Sequence, residues 1–325
     1  MKKLVFLLAA CVLLTSIPKS GFARQEKDVT TLIEHLEVGE SVYYRNLTLV
    51  PVYNTKIKDW TPYVTLDEAL KKKWIGISEV EGGQVPKVRI RNKSNKTIFL
   101  MGGEVITGCK QDRILGRDVL LGPKCKDVIV PVYCVEQGRW SYQSKTFSSR
   151  ENLGTSKLRA EAQMGKNNTQ ANIWSDVSNM QKKMKVSSRT SNYQHIYDKP
   201  EIKKEVGCFE KELHDIPQLQ KDTVGVIVGV GGKIISVDIF CNMQVFQKKW
   251  PKILKASAFS AISSEDRGTV TQEASIHFLQ KLHDKTFFSR KAIDLGRECY
   301  VEDSEVNVNA LVYRNAVIHL AGFPQ

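Results

Sequence analysis

Two short stretches of the sequence combine side chains that could do chemistry. Residues 102–113 read GGEVITGCKQDR, and residues 131–140 read PVYCVEQGRW. Carboxylates serve as general acids or bases, thiolates serve as nucleophiles, and the planar guanidinium of arginine pairs with carboxylate or phosphate groups. The two stretches hold all three side-chain types, so they are the first place to look for a site.

The residue types in these stretches define two sets of candidates. The candidate catalytic residues are Glu104, Cys134 and Glu136. The candidate ligand-binding residues are Gln111, Arg113, Arg139 and Trp140. Gln111 and Arg113 would share one face of a strand, because side chains alternate along a strand. Whether the protein is an enzyme stays open on these residues.

The same side chains also have structural interpretations. Glu104 could pair with Arg113 or Arg117 and hold two strands together. Cys134 could be buried or disulfide-bonded, because a cysteine nucleophile usually borrows a histidine and none lies near it in the sequence. Trp140 could be a packing residue. No cysteine or histidine cluster has the spacing of a zinc site, so we expect no metal and no cofactor.

A glycine-rich stretch, GVIVGVGGK at residues 225–233, is similar to a phosphate-binding loop. Such loops run from a strand through the glycines into a helix. Here the glycines are followed by IISVDIF, which has the residue types of another strand. A Gly-Gly pair between two strands favours a tight hairpin. The sequence therefore predicts a hairpin at Gly231 and Gly232.

The N-terminal residues have the pattern of a secretory signal peptide. Two lysines precede an apolar run, and Gly21 and Ala23 fit a cleavage after Ala23. The run over residues 4–17 has 14 residues, fewer than the ~20 that span a bilayer. We expect export to the periplasm or the extracellular space, removal of residues 1–23 and no transmembrane segment in the mature chain. The alternative is a lipoprotein anchored at Cys11.

Composition and charge narrow the class of protein. The chain has 325 residues, of which 42% are hydrophobic and 26% are charged. These values are typical of a folded protein with one or two domains and exclude a disordered or collagen-like chain. The net charge is +13. Because the protein is expected to be exported, we expect no nucleic acid partner, and the basic segment at 145–190 could instead contact the cell envelope.

Six cysteines follow the predicted signal peptide. An even number of cysteines in an oxidising compartment permits disulfides, and their pairing stays open. These cysteines are Cys109, Cys125, Cys134, Cys208, Cys241 and Cys299.

The order of elements predicts an α+β fold. Residues 24–45 form a lead-in, and a single domain follows over 46–322. Its β-rich N-terminal part, 46–140, contains one short helix. Residues 141–222 are polar, basic and helix-like. A hairpin, two helices and closing strands complete the domain.

Local signals place several helices. Thr65 followed by Glu68 is typical of a capping box at the start of the short helix. Apolar residues at helical spacing predict the others. These helices are expected over residues 31–37, 173–184, 202–213, 245–262 and 271–282.

Five stretches together resemble a known family. They are TLDEAL (65–70), ISEV (77–80), GGEVITGCKQDR (102–113), IVPVYCVEQGRW (129–140) and VGVGGKIISVDIF (228–240). In this order they resemble the ADP-ribosylglycohydrolase- and rhodanese-phosphatase-associated domain, a family named for its gene neighbours, over roughly residues 40–322.

The resemblance implies a setting in NAD-derived or ADP-ribose metabolism and carries no established catalytic residue. All seven candidate residues match positions of the family's recurring motifs. Cys109 stands where the family more often has alanine, which implies a disulfide added in an exported version.

Three functions follow from these observations. The first is an exported domain that binds a small anionic, phosphate- or nucleotide-like ligand through the Glu/Gln/Arg cluster. The second is a hydrolase of a phosphate- or ribose-containing substrate linked to NAD or ADP-ribose metabolism. The third is a structural or interaction protein of the cell envelope, docking through its basic segment.

Overall fold

The computed structural model describes residues 26–80, 86–301 and 303–325. The predicted signal peptide, its cleavage after Ala23 and the alternative anchor at Cys11 lie outside these residues. The described part of the chain folds into three β-sheets and eight α-helices. Strands and helices are both abundant and do not alternate one by one along the chain, so the predicted α+β fold class is confirmed.

The elements are numbered in chain order. The strands are β1 Leu36–Val38, β2 Val42–Tyr44, β3 Leu47–Asn54, β4 Val64–Thr65, β5 Ile75–Glu79, β6 Lys87–Asn92, β7 Ile98–Leu100, β8 Glu104–Gly108, β9 Arg113–Leu115, β10 Val119–Leu121, β11 Val128–Cys134, β12 Phe147–Leu153, β13 Thr223–Val230, β14 Lys233–Phe240, β15 Phe288–Lys291, β16 Arg297–Val301, β17 Val306–Tyr313 and β18 Ala316–Pro324. The helices are α1 Lys27–Glu34, α2 Leu66–Lys71, α3 Ser156–Met164, α4 Thr169–Lys183, α5 Gln194–Asp198, α6 Pro200–Leu213, α7 Met243–Ile262 and α8 Gln272–His283.

The largest sheet has nine strands in the order β1-β3-β13-β14-β18-β17-β16-β15, with β2 also paired to β3. Every neighbouring pair in it is antiparallel. Helix α7 packs on one face of β13, and apolar residues of α1 and α8 share a core with the other face. Because both faces are covered, every residue of β13 is buried.

Two smaller sheets hold the N-terminal motif stretches. One has six strands in the order β12-β8-β9-β11-β6-β5, and the other has three in the order β10-β7-β4. Apolar residues of β7 and β8 share one core cluster with residues of β14 and α7. The motif strands are therefore packed against the large sheet, which brings residues distant in sequence beside them.

The two turn and cap signals read from the sequence are confirmed. At the start of α2 the Glu68 N–H donates to Thr65 Oγ1 at 3.4 Å, and the Thr65 N–H donates to Glu68 Oε2 at 2.8 Å. Strands β13 and β14 form the predicted antiparallel hairpin. Gly231 and Gly232 turn it with φ of 57° and 78°, a region that favours glycine.

Three predictions of local structure are corrected. The helix of the lead-in is α1, which ends before the predicted 31–37 range does, because Leu36–Val38 pairs with β3 as β1. The segment predicted as helical from residue 141 opens with β12, a mostly polar strand at the edge of its sheet. Strand β15 at the other sheet's edge was not predicted, since its FSRK sequence shows no apolar alternation.

The helices of the middle segment bury the apolar stripes read from the sequence. In α6, all four stripe residues are buried: Ile202, Val206, Phe209 and Leu213. In α4, Ile173 and Val177 are buried, while Trp174 and Met180 at its margin are half-buried. No helix within the described residues is both long enough and apolar enough to span a bilayer.

Removal of the capping hydroxyl at the start of α2 tests the local stability of the motif region. Thr65→Ala should lower the free energy of unfolding by about 1 kcal/mol, because one N–H at the helix N-terminus loses its acceptor. Urea unfolding followed by circular dichroism measures this change. The control is Thr286→Ala, at an exposed loop position. An equal loss in both variants would contradict a specific role for the cap.

Candidate functional site

The two motif stretches meet on neighbouring strands. Strands β9 and β11 are antiparallel, and Arg113 lies directly opposite Cys134 in their register. The segment after β11 returns alongside, so that Glu136 and Arg139 reach the turn before β9. The predicted convergence of Gln111, Arg113, Cys134, Glu136 and Arg139 is therefore present in the structure.

We call this group the arginine cluster. It consists of Glu79, Gln111, Asp112, Arg113, Cys134, Glu136, Arg139, Thr190 and Asn192. The Arg113 guanidinium donates to Cys134 Sγ at 3.1 Å and to Glu79 Oε1 at 3.2 Å. The Cys134 thiol donates to Gln111 Oε1 at 3.0 Å. The Arg113 side chain is fully buried, and its charge is paired inside the protein with that of Glu79.

The second arginine of the cluster is also committed to protein acceptors. Arg139 Nε donates to Glu136 Oε2 at 2.9 Å, and its Nη2 donates to Asp112 Oδ1 at 3.2 Å. Its Nη1 donates to the Cys109 carbonyl oxygen at 2.7 Å. Gln111 Nε2 donates to the Glu136 carbonyl oxygen at 2.7 Å. These contacts hold the two motif stretches together.

Ionisation in the arginine cluster follows from burial and pairing. Burial raises the pKa of the Cys134 thiol to about 11, although Arg113 favours the thiolate. Burial also works against ionisation of Glu136, but hydrogen bonds from Arg139 and Thr190 outweigh it and lower the pKa of that carboxyl. At neutral pH the cysteine is a thiol and Glu136 a carboxylate. Neither is in the state of an activated nucleophile or a general acid.

Glu104, the third candidate catalytic residue, lies outside this cluster. It is the first residue of β8. It pairs with neither Arg113 nor Arg117. Its Oε1 accepts from Lys249 Nζ at 2.8 Å and from Lys252 Nζ at 2.7 Å. The reason is tertiary: α7 packs across the start of β8 and places two lysines, three residues apart, against the carboxylate.

Glu104 belongs to a larger set of charges that we call the buried ion network. Its members form two groups of ion pairs: Asp67, Glu104, Lys249 and Lys252 in the first, and Asp118, Arg159, Asp238 and His319 in the second. Lys252 also pairs with Asp67 at 2.5 Å. The side chains of Glu104 and Lys249 are completely inaccessible to solvent.

His319 joins Asp118 to Asp238, which in turn pairs with Arg159. His319 Nδ1 lies 2.7 Å from Asp118 Oδ2, and its Nε2 lies 3.1 Å from Asp238 Oδ1. Arg159 of α3 donates both Nη1 and Nη2 to Asp238, at 2.9 and 2.5 Å. The histidine ring also stacks on Phe240, with centroids 4.4 Å apart. One contiguous set of polar contacts thus joins β14, β18 and α3.

Two carboxylates of the network, Glu104 and Asp238, are stabilised in their ionised form. Burial raises the pKa of Glu104, but Lys249 and Lys252 outweigh burial and hold it at about 2. The pKa of Asp238 is well below its usual range, because Arg159 and His319 outweigh its burial. Burial lowers the pKa of His319, but its two carboxylate partners outweigh that effect and raise it. The carboxyl groups of Glu104 and Asp238 are therefore held as ions. At Lys249, burial outweighs the attraction of Glu104 and lowers the pKa of the ammonium group.

No motif in the sequence marks this network directly. Only Glu104 was singled out, and its lysine partners lie 145 and 148 residues further along the chain. The one hint was a lysine pair, Lys249 and Lys252, next to the buried residues Trp250 and Ile253 of an apolar helix. Charged residues on the buried side of a helix imply a buried partner.

Trp140 lies at the surface, beside the arginine cluster. Its side chain is 51% exposed, which corrects the interpretation of it as a packing residue. Lys110 Nζ lies 4.8 Å from the Trp140 ring centroid and 5.3 Å from that of Tyr142. An exposed aromatic pair with an ammonium between the rings is a cation–π arrangement.

The cysteines form no disulfide within the described residues. All six are free thiols, and four of them are buried, including Cys109 and Cys134. Within residues 26–80, 86–301 and 303–325 no group of three or more His, Cys, Asp or Glu side chains is placed to hold a metal ion.

A cleft of about 250 Å³ lies at the N-terminus of α3, between α4, the β13–β14 hairpin and the end of α7. We call it the α3 cleft. Its polar lining residues are Thr155, Ser156, Lys157, Asp176, Asn179, Lys183, Lys233, Ser260, Ser263, Ser264 and Asp266. Thr155 is the N-cap residue of α3, yet its side chain makes no capping hydrogen bond. Its Oγ1 is buried and has no hydrogen-bond partner in the described part of the chain.

Comparison with known proteins identifies the family. The model of the ARG and Rhodanese-Phosphatase-superfamily-associated Protein domain, ARPP-1, matches residues 35–323. The match covers most of the chain, so the chain belongs to this family, and the resemblance read from the motif stretches is confirmed. The family description assigns no activity. Neither the curated proteins nor the solved structures compared with the chain gave a match.

Substitution of the carboxylate that two lysines share tests the buried ion network. Glu104→Gln should lower the free energy of unfolding by about 3–5 kcal/mol, because two buried ammonium groups lose their counter-charge. Urea unfolding measures the loss. Glu212→Gln, at an exposed position of α6, is the matched control and should change stability by less than about 0.5 kcal/mol.

The pH dependence of that loss separates charge from shape. The pKa of Glu104 is about 2 in the folded protein and 4.5 ordinarily. Its stabilising contribution is therefore present above pH 4.5 and is lost as the pH falls towards 2. The stability difference between wild type and Glu104→Gln should shrink below about pH 4.5. A difference that stays constant down to about pH 3 would show that the lost interaction is not ionic.

Cysteine reactivity tests the arrangement of the arginine cluster. Iodoacetamide at about pH 8 should modify Cys208, which is partly exposed on α6, and leave Cys134 intact. The reason is that Cys134 is buried and its pKa is raised to about 11. Peptide mass spectrometry gives the extent of labelling at each site. All six cysteines should react in denaturant, whereas equal native rates at the two positions would contradict the buried thiol.

Proposed function

We propose that this protein binds a small phosphate-like anion in the α3 cleft. The observation that carries the proposal is the Thr155 hydroxyl, which is buried at a helix N-terminus without a partner in the described residues. A buried hydroxyl without a hydrogen bond costs stability. Because the Oγ1 atom itself has almost no accessible surface, the Thr155 side chain would have to turn its hydroxyl towards the cleft, where an anion would accept from it and remove the cost.

The helix beside the hydroxyl supports an anion in particular. The first N–H groups of an α-helix have no partner within the helix, and the helix dipole favours negative charge there. The first turn of α3 carries no acidic residue and includes Lys157. A phosphate oxygen at this position would accept from backbone N–H groups and from Thr155 together.

Three lysines give the cleft its positive charge. Lys157 and Lys233 pair at its rim with Asp176 and Asp266, at 2.6 and 3.2 Å. Lys183 pairs with no carboxylate in the described part of the chain, and its only contact is a 3.4 Å hydrogen bond to the Ser263 carbonyl oxygen. Its ammonium is the one best placed to turn towards an anion.

The proposed ligand is of the predicted class, a small anion, but the proposed site is the α3 cleft rather than the two motif stretches. Gln111, Arg113 and Arg139 already donate to protein acceptors, so a phosphate there would have to displace them. The α3 cleft lies instead on the basic 145–190 segment, which supplies Lys157 and Lys183. Membership of the family supports an ADP-ribose-like ligand, whose phosphates have the required charge.

The predicted hydrolase has less support from the geometry. Glu104 and Glu136 are both ionised and both held in ion pairs. A general acid must carry a proton at the working pH, and neither carboxyl does so. A docking role for the basic segment at the cell envelope stays a prediction, since it needs no particular geometry of the cleft.

Isothermal titration with inorganic phosphate and with ADP-ribose tests the proposal. Thr155→Val should weaken binding about 10-fold or more, because a hydrogen bond to a charged group is lost. The same variant should be as stable as wild type, because the removed hydroxyl has no partner in the described protein. A purely structural role for Thr155 predicts unchanged binding and lower stability in Thr155→Val.

A pair of adjacent lysines supplies the charge control. Lys183→Gln should weaken binding, whereas Lys182→Gln should not, because Lys182 is exposed on the same helix and does not line the cleft. The proposal fails if neither anion binds wild type, or if both bind Thr155→Val and Lys183→Gln as tightly as wild type.

A further inference from the structure

A second cleft, of about 580 Å³, lies at the opposite end of α3, against β16 and β17. We call it the β17 cleft. Its lining is richer in carboxamides than that of the α3 cleft. It also contains Ser304 and Asp303, whose carboxylate pairs with Lys285 at 2.7 Å. The lining residues that matter here are Gln163, Lys166, Arg290, Tyr300, Asn307 and Asn309.

The three carboxamides form a fixed chain of hydrogen bonds. Asn309 Nδ2 donates to Asn307 Oδ1 at 2.9 Å and to Gln163 Oε1 at 3.1 Å. Asn307 Nδ2 donates to the Ala160 carbonyl oxygen of α3 at 3.1 Å. Each of the three amides takes part in at least one of these three hydrogen bonds, so the orientation of all three is set.

The chain leaves complementary groups without partners. In the described residues, the Gln163 Nε2 donor and the Asn309 Oδ1 acceptor make no hydrogen bond. A held donor beside a held acceptor matches neighbouring hydroxyl groups, each of which can both donate and accept. Gln163 and Asn307 are 6% and 5% exposed, so these amides are part of the protein's framework rather than mobile surface groups.

The rim of the cleft adds positive charge and an aromatic ring. Lys166 is exposed and forms no ion pair within the described residues. Arg290 donates through Nε to Glu298 at 2.6 Å and lies 4.6 Å from the Tyr300 ring centroid. Its two terminal nitrogens have no carboxylate partner in the described chain, so they present a fork to an incoming carboxylate.

We infer that the β17 cleft binds an acidic sugar. Its ring hydroxyls pair with the free groups of Gln163 and Asn309, and its carboxylate pairs with Arg290 and Lys166. The cleft volume lies within the range of sites that hold small molecules. This inference does not rest on anion binding in the α3 cleft, because the two clefts share no lining residue.

Saturation-transfer NMR with D-glucuronate as the probe tests the inference. D-Glucose, which has the same ring without the carboxylate, is the neutral comparison. We expect glucuronate to bind wild type at least about 5-fold more tightly than glucose, because only glucuronate reaches the two cations. Equal affinities, or no signal from glucuronate, would overturn the inference.

Two variants locate the site. Gln163→Glu keeps the acceptor used by Asn309 but replaces the free donor with a negative oxygen, so it should weaken glucuronate binding about 10-fold or more. Lys166→Gln, at an exposed position that leaves the fold intact, should weaken it several-fold. Lys182→Gln serves as the control and should bind like wild type. Unchanged binding in Gln163→Glu and Lys166→Gln would overturn the assignment.

Competition separates the sugar from a general anion site. Inorganic phosphate should displace glucuronate only weakly, because it offers no ring hydroxyls to the amides. If inorganic phosphate displaces glucuronate as well as glucose does, or better, the sugar assignment is overturned. Thr155→Val should leave glucuronate binding unchanged, so a failure at the α3 cleft and a failure at the β17 cleft are distinguishable.

Discussion

The buried ion network is the constraint on which the rest of the structure depends. Its four carboxylates and, with His319 protonated, its four cations balance one another. They come from the short helix, the motif strands, the middle segment, the hairpin, the long helix and the last strand: Asp67, Glu104, Asp118, Arg159, Asp238, Lys249, Lys252 and His319. Each charge would be strongly destabilising if buried alone. The network consists of two groups with no salt bridge between them in the described residues, and each group is satisfied only when the elements that supply its charges are in place. Lys249 and Lys252 bind Glu104 of the motif strands to the long helix, and His319 binds Asp118 to the last strand of the large sheet.

The network also fixes the helix that both proposed clefts use. Arg159 lies in the middle of α3 and is held by Asp238 through two hydrogen bonds. Thr155 lies one turn before Arg159, and Gln163 lies one turn after it. A helix held at its centre presents both ends in defined positions, which ligand recognition requires. The arginine cluster has a similar structural role for the motif strands, since its donors are used within the protein.

Turn and cap signals made by adjacent residues were read correctly from the sequence, whereas the end of α1, the edge strands β12 and β15 and the long-range pairings were not. The capping box of Thr65 and Glu68 and the hairpin at Gly231 depend on adjacent residues, so the sequence contains their whole cause. The convergence of the two motif stretches could be predicted because only one strand and its turns separate them. The partners of Glu104 could not, because they lie 145 and 148 residues away and only tertiary packing brings α7 beside β8. The β12 edge strand was missed because half of its residues face solvent and carry no apolar pattern.

Buried polar groups that lack a hydrogen-bond partner are a better guide to a ligand site than the residue types of the sequence motifs. A buried group that has its partners stabilises the fold, and a ligand would gain little by replacing them. A buried group without a partner costs free energy in every folded molecule, and a ligand that supplies the partner recovers that cost on binding. By this criterion the motif arginines belong mainly to the fold, because their terminal nitrogens are occupied and only Arg113 Nε is buried without a partner in the described residues. Thr155, which no sequence motif marked, fits the proposed binding site by the same criterion, because its hydroxyl is left without a partner in the described chain.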